Sequence, residues 1–412
     1  MITPDIRLIS YLCRRCGACK LVCPQQAISF SSKEGFYFPY IDYSKCNLCG
    51  RCFEVCPVKK ENFLNYEKDF FSGIKNVFIG YAQNYEDRFW SSSGGIVVSI
   101  IKWSLQLKIV DAFLCVKASK DIGYAEFALI ENIEEINLIR TSKYITPSME
   151  NLDYKELSKF KKIGVVGLSC HIKALFNLKE FFNLNNIYFT IGLICYQSKN
   201  PRFLKFILER MNIEKEEVDK FYYRTEGWPG KAVAYLKNGA VRRLPYKDWS
   251  FLWSNFYFTP WGCWFCEDPW VESADIVVGD PWNKKLKRQT QGLSLIISRT
   301  SLGDLLLKRA YRDGVIRLFN IHKKSIVKFQ SLKILKFKKN YFKEKMLLLE
   351  LVEGGKIYNK IFTKRFSVNI WKFINTFRIW LSCRILESLI QNKIFKKIPL
   401  KILRVISLLL KI

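Results

Sequence analysis

The sequence predicts a chain of mixed α+β and α/β class in three regions: a small cysteine-held module at the N terminus, a central α/β domain and a basic helical C-terminal tail. Three observations carry this reading. Cys13, Cys16, Cys19 and Cys23, followed by Pro24, recur 33 positions later as Cys46, Cys49, Cys52 and Cys56, followed by Pro57. Across residues 76–313 short β-branched runs alternate with longer stretches of helical periodicity, the pattern of an α/β domain. Past residue 321 basic and apolar residues recur at helical spacing, interrupted by Pro399.

The N-terminal element follows from the chemistry of its cysteines. One [4Fe-4S] cubane needs four thiolates, and two-residue gaps in a tight turn let successive cysteines reach different irons of one cluster. The fourth cysteine of each run lies too far along to close its own cluster, and in two-cluster ferredoxins it ligates the other one. The expected sets are Cys13, Cys16, Cys19 and Cys56 for one cluster, and Cys46, Cys49, Cys52 and Cys23 for the second. Gly17 and Gly50, at equivalent places in the two loops, permit backbone amides to approach the sulfurs and tune the reduction potential. A disulfide framework or a pair of zinc sites would explain neither the complete duplication nor the Pro after each run, and zinc favours wider gaps between ligand pairs. Residues 1–66 are therefore read as a two-cluster ferredoxin-like module, with short strands at 27–30 and 36–40.

A turn-rich stretch at 66–73 reads as a linker into the second region, 74–320. There the expected strands are 76–81, 111–116, 163–167, 187–193, 231–237, 275–279 and 293–298. The expected helices are 95–107, 151–160, 172–182, 201–211 and 301–313.

Composition bounds the partners and the compartment. A chain of 412 residues with 49% hydrophobic residues has room for two or three domains and a substantial core. Residues 1–11 carry no apolar core or cleavage pattern of a signal peptide, and thiolates committed to clusters belong in a reducing compartment, so a cytoplasmic location is expected. No apolar run reaches the length of about 18 residues that a membrane-spanning helix needs. The net charge of +30 suggests a nucleic-acid binder, but residues 321–412 hold 22 Lys and Arg against 4 Asp and Glu and so supply +18 of it. No specific nucleic-acid partner is expected.

Two further constellations stand in the central region. Residues Ser91, Ser92, Ser93, Gly94 and Gly95 precede an apolar helical stretch; such a loop suits a phosphate or pyrophosphate, or Ser93 is simply an N-cap. Cys170 and Cys195 each follow a buried-type strand, as residues converging at the carboxyl edge of a parallel sheet do, and Cys263 and Cys266 form a C-x2-C pair. Together they supply four ligands, enough for a third [4Fe-4S] cluster; alternatively the first two are ordinary buried cysteines and the pair binds zinc or forms a redox disulfide. Cys115 and Cys383 read as core residues. His171 and His322 are the only histidines, which argues against a Ser-His-Asp device; His171, beside Cys170, is either a proton relay or a satisfied local histidine.

The ordered series SSSGGIVVSI, RTSKYITPS, GVVGLSCHIKAL, IGLICYQ, GWPGKAVAYLKNG, CWFCED and ADIVVGDPWN resembles the family of coenzyme F420 hydrogenase/dehydrogenase beta subunits, in its form with an N-terminal ferredoxin module. The resemblance implies that the central α/β domain is of flavin-binding type, carries FAD, and holds a third cluster at Cys170, Cys195, Cys263 and Cys266. It also carries over Ser93, Gly94, Gly95, Ser142, Lys143 and Tyr144 as cofactor candidates, since they match segments near the flavin. The chain departs from the family at Leu168-Ser169, ahead of Cys170, and at Tyr196-Gln197, after Cys195, so the loop shapes there are open.

A flavin also has a physical reason: hydride donors release two electrons together while each cluster carries one, so a cofactor stable in both regimes must stand between them. The expectation is an iron–sulfur flavoprotein oxidoreductase with a ferredoxin or reductase as redox partner and an unidentified small-molecule substrate. Its alternatives are a non-catalytic subunit for electron transfer and a basic adaptor with clusters as staples. In the tail, Ile370, Ile374, Phe377, Leu381 and Ile385, then Leu400, Leu403, Ile406 and Leu410, make an apolar face bordered by cations. Such a face lies on an anionic membrane surface, docks on a partner or covers the protein's own core.

Overall fold

The structure is a computed structural model, and it describes residues 10–33, 36–59, 71–253, 256–286, 289–353 and 368–391. In the N-terminal module, β1 (Ile28–Lys33) and β2 (Phe36–Ile41) form an antiparallel hairpin with Ile28 opposite Ile41. Four-residue helices at Ala18–Leu21 and Arg51–Glu54 occupy equivalent places in the two cysteine runs, each entered through a left-handed glycine, Gly17 at φ 86° and Gly50 at φ 74°. These are positions where a Cβ would strain the backbone, and they turn the chain sharply under the cysteines.

The central region is built on an eight-stranded sheet of β3 (Asn76–Ala82), β4 (Ala112–Ala118), β5 (Ala125–Ile130), β6 (Ile163–Gly167), β7 (Ile187–Leu193), β11 (Ile276–Gly279), β12 (Ser294–Ser298) and β13 (Ile316–Asn320). Its order is β13-β3-β12-β11-β7-β6-β4-β5, with β11, β7, β6 and β4 mutually parallel. The inner strands β6 and β12 are buried at every position, as strands covered on both faces are. Alternate residues feed opposite cores: Val278 and Ile296 pack with Ile100, Trp103 and Leu307 on one face, while Val277, Leu295 and Ile297 pack with Ile172 and Val271 on the other. Because β3 runs antiparallel to β12, which is itself antiparallel to β11, the carboxyl ends of β3, β11, β7, β6 and β4 share one edge with the start of β12. Every candidate chemical group of the central region lies along or above that edge.

A second, three-stranded antiparallel sheet follows: β8 (Val218–Thr225), β9 (Lys231–Leu236) and β10 (Val241–Pro245), in the order β10-β9-β8. It shares a large aromatic core with the helix Arg202–Met211 and with Trp249, Phe256, Phe258 and Trp264.

Several expectations are corrected. β5, β8, β10 and β13 were not expected as strands, because charged or half-exposed positions such as Glu126, Asp219, Arg242 and Arg317 blur their alternation. The helix expected at 151–160 is only the turn Tyr154–Leu157, since Asn186 Nδ2 donates to the carbonyls of Leu157 and Phe160 that a longer helix would use. The helix expected from 172 begins at Ser169, so Cys170 sits in its first turn. Composition changes at residue 320, but packing does not: helices Leu332–Asn340, Phe342–Glu353 and Ile370–Gln391 send Phe337, Phe342, Met346, Leu349, Ile379, Cys383 and Leu386 into the aromatic core. The final apolar run at 400–410 lies outside the described residues, as does most of the linker.

Candidate metal and cofactor centre

In the N-terminal module the cysteines gather in crossed sets. One cavity is lined by Cys13, Cys16 and Cys19 together with Cys56 of the other run; the second is lined by Cys46, Cys49 and Cys52 together with Cys23. Arg15 N donates to Cys13 Sγ at 3.3 Å and Ala27 N to Cys23 Sγ at 3.2 Å. The cavities differ in depth, for Cys16 and Cys19 are buried while Cys49 is exposed. Burial pushes the Cys16 thiol up to about 12 and those of Cys13, Cys19 and Cys56 upward as well, so they stay protonated unless iron displaces the proton. Among the described residues no three His, Cys, Asp or Glu side chains meet closely enough to hold a single ion. The thiols surround a space instead, which suits a cubane better than one zinc ion.

The second set of cysteines also comes together. Cys170 follows β6 and Cys195 follows β7, on neighbouring parallel strands, and the short helix Trp261–Trp264 brings Cys263 and Cys266 over the same edge. Burial raises the Cys170 thiol, and so do its neighbours Cys266, Cys16, Cys263 and Cys195. Burial likewise lifts Cys195 to about 12, reinforced by Cys263 and Cys266 and opposed by Lys338. The set therefore abuts the first N-terminal cavity, Cys16 lying near Cys170 and Cys13 near Cys263.

The contact between the two runs through the Arg14 side chain and the Cys263 loop's backbone, with Gly262 packed closely on Cys13 O. Arg14 Nη1 donates to Gly262 O at 2.7 Å and Nη2 to Phe265 O at 3.2 Å, and Met149 N donates to Cys16 O at 2.9 Å. His171 is a local structural residue: Nδ1 accepts from Leu168 N at 3.4 Å, Nε2 donates to Pro147 O at 3.1 Å, and burial holds its pKa down to about 4. The proton-relay alternative loses its basis, because both ring nitrogens are engaged.

The cofactor candidates behave unequally. The loop at 91–95 opens the helix Ile96–Gln106, but its cap is the left-handed Gly95, at φ 78°. Ser93 Oγ donates instead to Leu293 O at 2.6 Å, which overturns N-capping by Ser93. Gly94 N donates to Ser294 Oγ at 3.0 Å, and Ser142 N to Ser92 Oγ at 2.8 Å. Ser91 Oγ is buried with no hydrogen-bond partner, an orphan such as a ligand would satisfy.

Lys143 is turned inward: its Nζ donates to Ile139 O, Arg140 O and Thr141 O, and burial pulls its pKa down to about 7. Its ammonium closes its own loop and does not face the Ser and Gly loop. Tyr144 packs between Phe203, Tyr223 and Trp253, with Arg224 Nη1 3.4 Å from its hydroxyl. Beside Ser92 stands a group absent from the expectations: Arg224 donates to the Ser92 carbonyl and pairs with both oxygens of Asp280, at 2.7 and 3.1 Å. Trp228 Nε1 also donates to Asp280, at 2.8 Å, and Trp282 stacks on Tyr246 at 5.3 Å.

Comparison with known proteins gives the family. Residues 12–60 match the 4Fe-4S dicluster domain, residues 77–152 the N-terminal part of the coenzyme F420 hydrogenase/dehydrogenase beta subunit, and residues 160–324 its C-terminal part. The chain belongs to the family of coenzyme F420 hydrogenase/dehydrogenase beta subunits.

Its N-terminal module is a dicluster domain of two [4Fe-4S] clusters. The chain is 26% identical over 352 residues to coenzyme F420-dependent sulfite reductase of Methanocaldococcus jannaschii, covering 80% of this chain and 50% of that protein. It is 27% identical over 232 residues to the beta subunit of F420-dependent formate dehydrogenase 1 of Methanococcus maripaludis, covering 54% and 56%. The chain thus spans about half the length of these two relatives. A chain of the F420-reducing [NiFe] hydrogenase complex from Methanosarcina barkeri shares the fold, with a TM-score of 0.51 at 22% identity over 69% of this chain and 94% of that one.

Within this frame of F420 hydrogenase/dehydrogenase beta subunits, the residues that sequence reading missed are Arg14, Arg224, Asp280, Lys338 and Lys345. The GWPG and GDPWN motifs were the available signal for two of them, since Arg224 lies just ahead of the first run and Asp280 within the second. The lysines gave none, because an isolated lysine reads as a surface residue.

Proposed function

We propose that the protein is an iron–sulfur flavoprotein oxidoreductase that passes electrons between [4Fe-4S] clusters and a flavin, with hydride exchanged at the flavin with a small-molecule substrate or coenzyme. The carrying observation is continuity. The set that includes the exposed Cys49, the set of Cys13, Cys16, Cys19 and Cys56, in which Cys16 and Cys19 are buried, and the set of Cys170, Cys195, Cys263 and Cys266 adjoin one another in that order. From Cys195 the chain runs to Lys199, whose N donates to Tyr144 O at 2.8 Å, and two residues earlier Ser142 meets Ser92.

In this reading each crossed set holds one N-terminal cluster, and the third set holds another. The loop at 91–95, with Ser91 Oγ and the first amides of the helix it opens, receives the flavin's phosphates, and Arg224 fixes that loop through the Ser92 carbonyl. FAD supplies the passage between two-electron and one-electron chemistry. The exposed Leu48, beside Cys49, with the exposed Tyr40 and Tyr43 of the same module, forms the face for a redox partner protein. Coenzyme F420, named in the relatives, is the first hydride carrier to test. Bound flavin that such a carrier reduces separates this reading from a subunit that transfers electrons without catalysis. The iron and flavin content of anaerobically reconstituted protein is the primary test.

The tail carries a second proposal, association with an anionic membrane surface. No helix among the described residues is long and apolar enough to cross a membrane. The helix Ile370–Gln391 nevertheless leaves Ile370, Trp371, Ile374, Phe377, Leu381 and Ile385 exposed in a region of strong positive charge. Deleting 321–412 would gut the aromatic core, so the variant to use is Ile374→Gln with Phe377→Gln. Wild type is expected to sediment with phosphatidylserine vesicles and not with phosphatidylcholine ones, and the double variant to bind at least about tenfold more weakly. Equal sedimentation of both proteins would remove the idea.

A further inference from the structure

The loop that carries Cys263 and Cys266 is enclosed by three buried basic side chains. Arg14 donates to Gly262 O at 2.7 Å and Phe265 O at 3.2 Å, Lys338 Nζ to Cys263 O at 2.6 Å and Cys266 O at 3.3 Å, and Lys345 Nζ to Trp264 O at 3.0 Å. All five carbonyls from 262 to 266 thus accept from a basic side chain. Lys338 is 1% exposed and Lys345 0%, and Lys345 Nζ also donates to Lys338 O at 3.0 Å, which brings the two lysines side by side.

The nearby acids are largely engaged elsewhere. Asp268 pairs with Lys173 at 3.3 Å and accepts from Ser169, Glu272 pairs with Lys339 at 2.7 Å, and Glu344 accepts from Asn369 N; Glu267 is the acid that acts on Lys345. Buried, adjacent like charges are costly without an anion to face. Both lysines come from helices beyond residue 324, where the match to the C-terminal part of the family's beta subunit ends.

We propose that Lys338 and Lys345 form a cationic cap that stabilises the reduced state of the cluster held by Cys170, Cys195, Cys263 and Cys266, so that the C-terminal region sets that cluster's potential. The inference rests on the third-cluster reading above. One-electron reduction adds one negative charge to the thiolate-bound cluster, and in a low-dielectric interior a fixed neighbouring cation stabilises that added charge far more than it would in water. These lysines are positioning residues: they touch the ligand loop's carbonyls.

The test is a dithionite titration of the reconstituted full chain, followed by electron paramagnetic resonance, in wild type, Lys338→Gln, Lys345→Gln and Lys338→Arg. Glutamine keeps a donor for the carbonyls but removes the charge; arginine keeps the charge. Each glutamine variant is expected to lower the third cluster's equilibrium constant for reduction at least about tenfold, about 59 mV for one electron, with the cluster of Cys46, Cys49, Cys52 and Cys23 unmoved as internal control. Lys338→Arg is expected to restore the wild-type value. A third signal whose potential is the same in both glutamine variants as in wild type would overturn the cap. A wild type with only about eight irons and no third signal would overturn the reading beneath it. Should one lysine variant fail to load iron, the other decides alone, since Lys338 touches the Cys263 and Cys266 carbonyls and Lys345 the Trp264 carbonyl.

Discussion

Replacing Cys195 by alanine is expected to strip about four of about twelve irons from the reconstituted protein while both N-terminal clusters stay loaded. The substitution is mild for the fold. Cys195 is only partly buried, and its structural hydrogen bond, from the backbone N to Pro269 O at 2.9 Å, survives the change. What is lost is the thiol that stands among Cys170, Cys263 and Cys266. Dithionite should still bleach the N-terminal clusters, but reduction of those clusters by a hydride donor through bound flavin should fall by two or more orders of magnitude, because the step between the ferredoxin module and the sheet edge is gone. Iron analysis and stopped-flow absorbance measure the two effects. Retention of all the iron, or an unchanged rate, would mean that Cys195 is an ordinary buried cysteine.

Gly262→Ala should be nearly as damaging, for a steric reason. A Cβ at 262 would overlap Cys13 O, approach Cys13 C at 2.6 Å and Leu12 O at 3.0 Å, and all three are backbone atoms that cannot rotate away. The ferredoxin module would have to lift off the Cys263 loop, breaking the Arg14 bonds to Gly262 O and Phe265 O. A cost of about 3 kcal/mol or more is expected in denaturant unfolding, at the upper end for overpacking. Electron transfer between the module and the central domain should also slow. Gly239→Ala is the control: its φ of 83° imposes strain, but nothing lies within 4 Å, so about 1 kcal/mol is expected there. Equal stability losses at 262 and 239 would mean that the module does not pack as described.

What the sequence disclosed depended on whether the physics was local. The crossed cysteine sets were legible because a fixed spacing admits only one easy way to fill each cubane, and Cys23 and Cys56 do line the opposite cavities. Cys170 and Cys195 were legible because parallel strands end on one edge. The tail was not. The expected apolar stripe of Ile370, Ile374, Phe377, Leu381 and Ile385 is the exposed face of its helix. The buried face includes Thr376 and Ser382, whose hydroxyls bond back to Lys372 O at 2.8 Å and Ile379 O at 2.7 Å and so pass as apolar. Hydropathy cannot register a polar side chain satisfied by its own helix. Lys338, Lys345 and Lys143 fail as surface markers for the same reason, since backbone carbonyls satisfy them inside the protein.

If the three cysteine sets and the Ser and Gly loop at 91–95 form one path from the surface to a flavin, every carrier along it must load. Iron and flavin analysis of the full chain, reconstituted and purified without oxygen, tests this most directly. About twelve irons and one flavin per chain are expected, whereas about eight irons and no flavin would contradict the path.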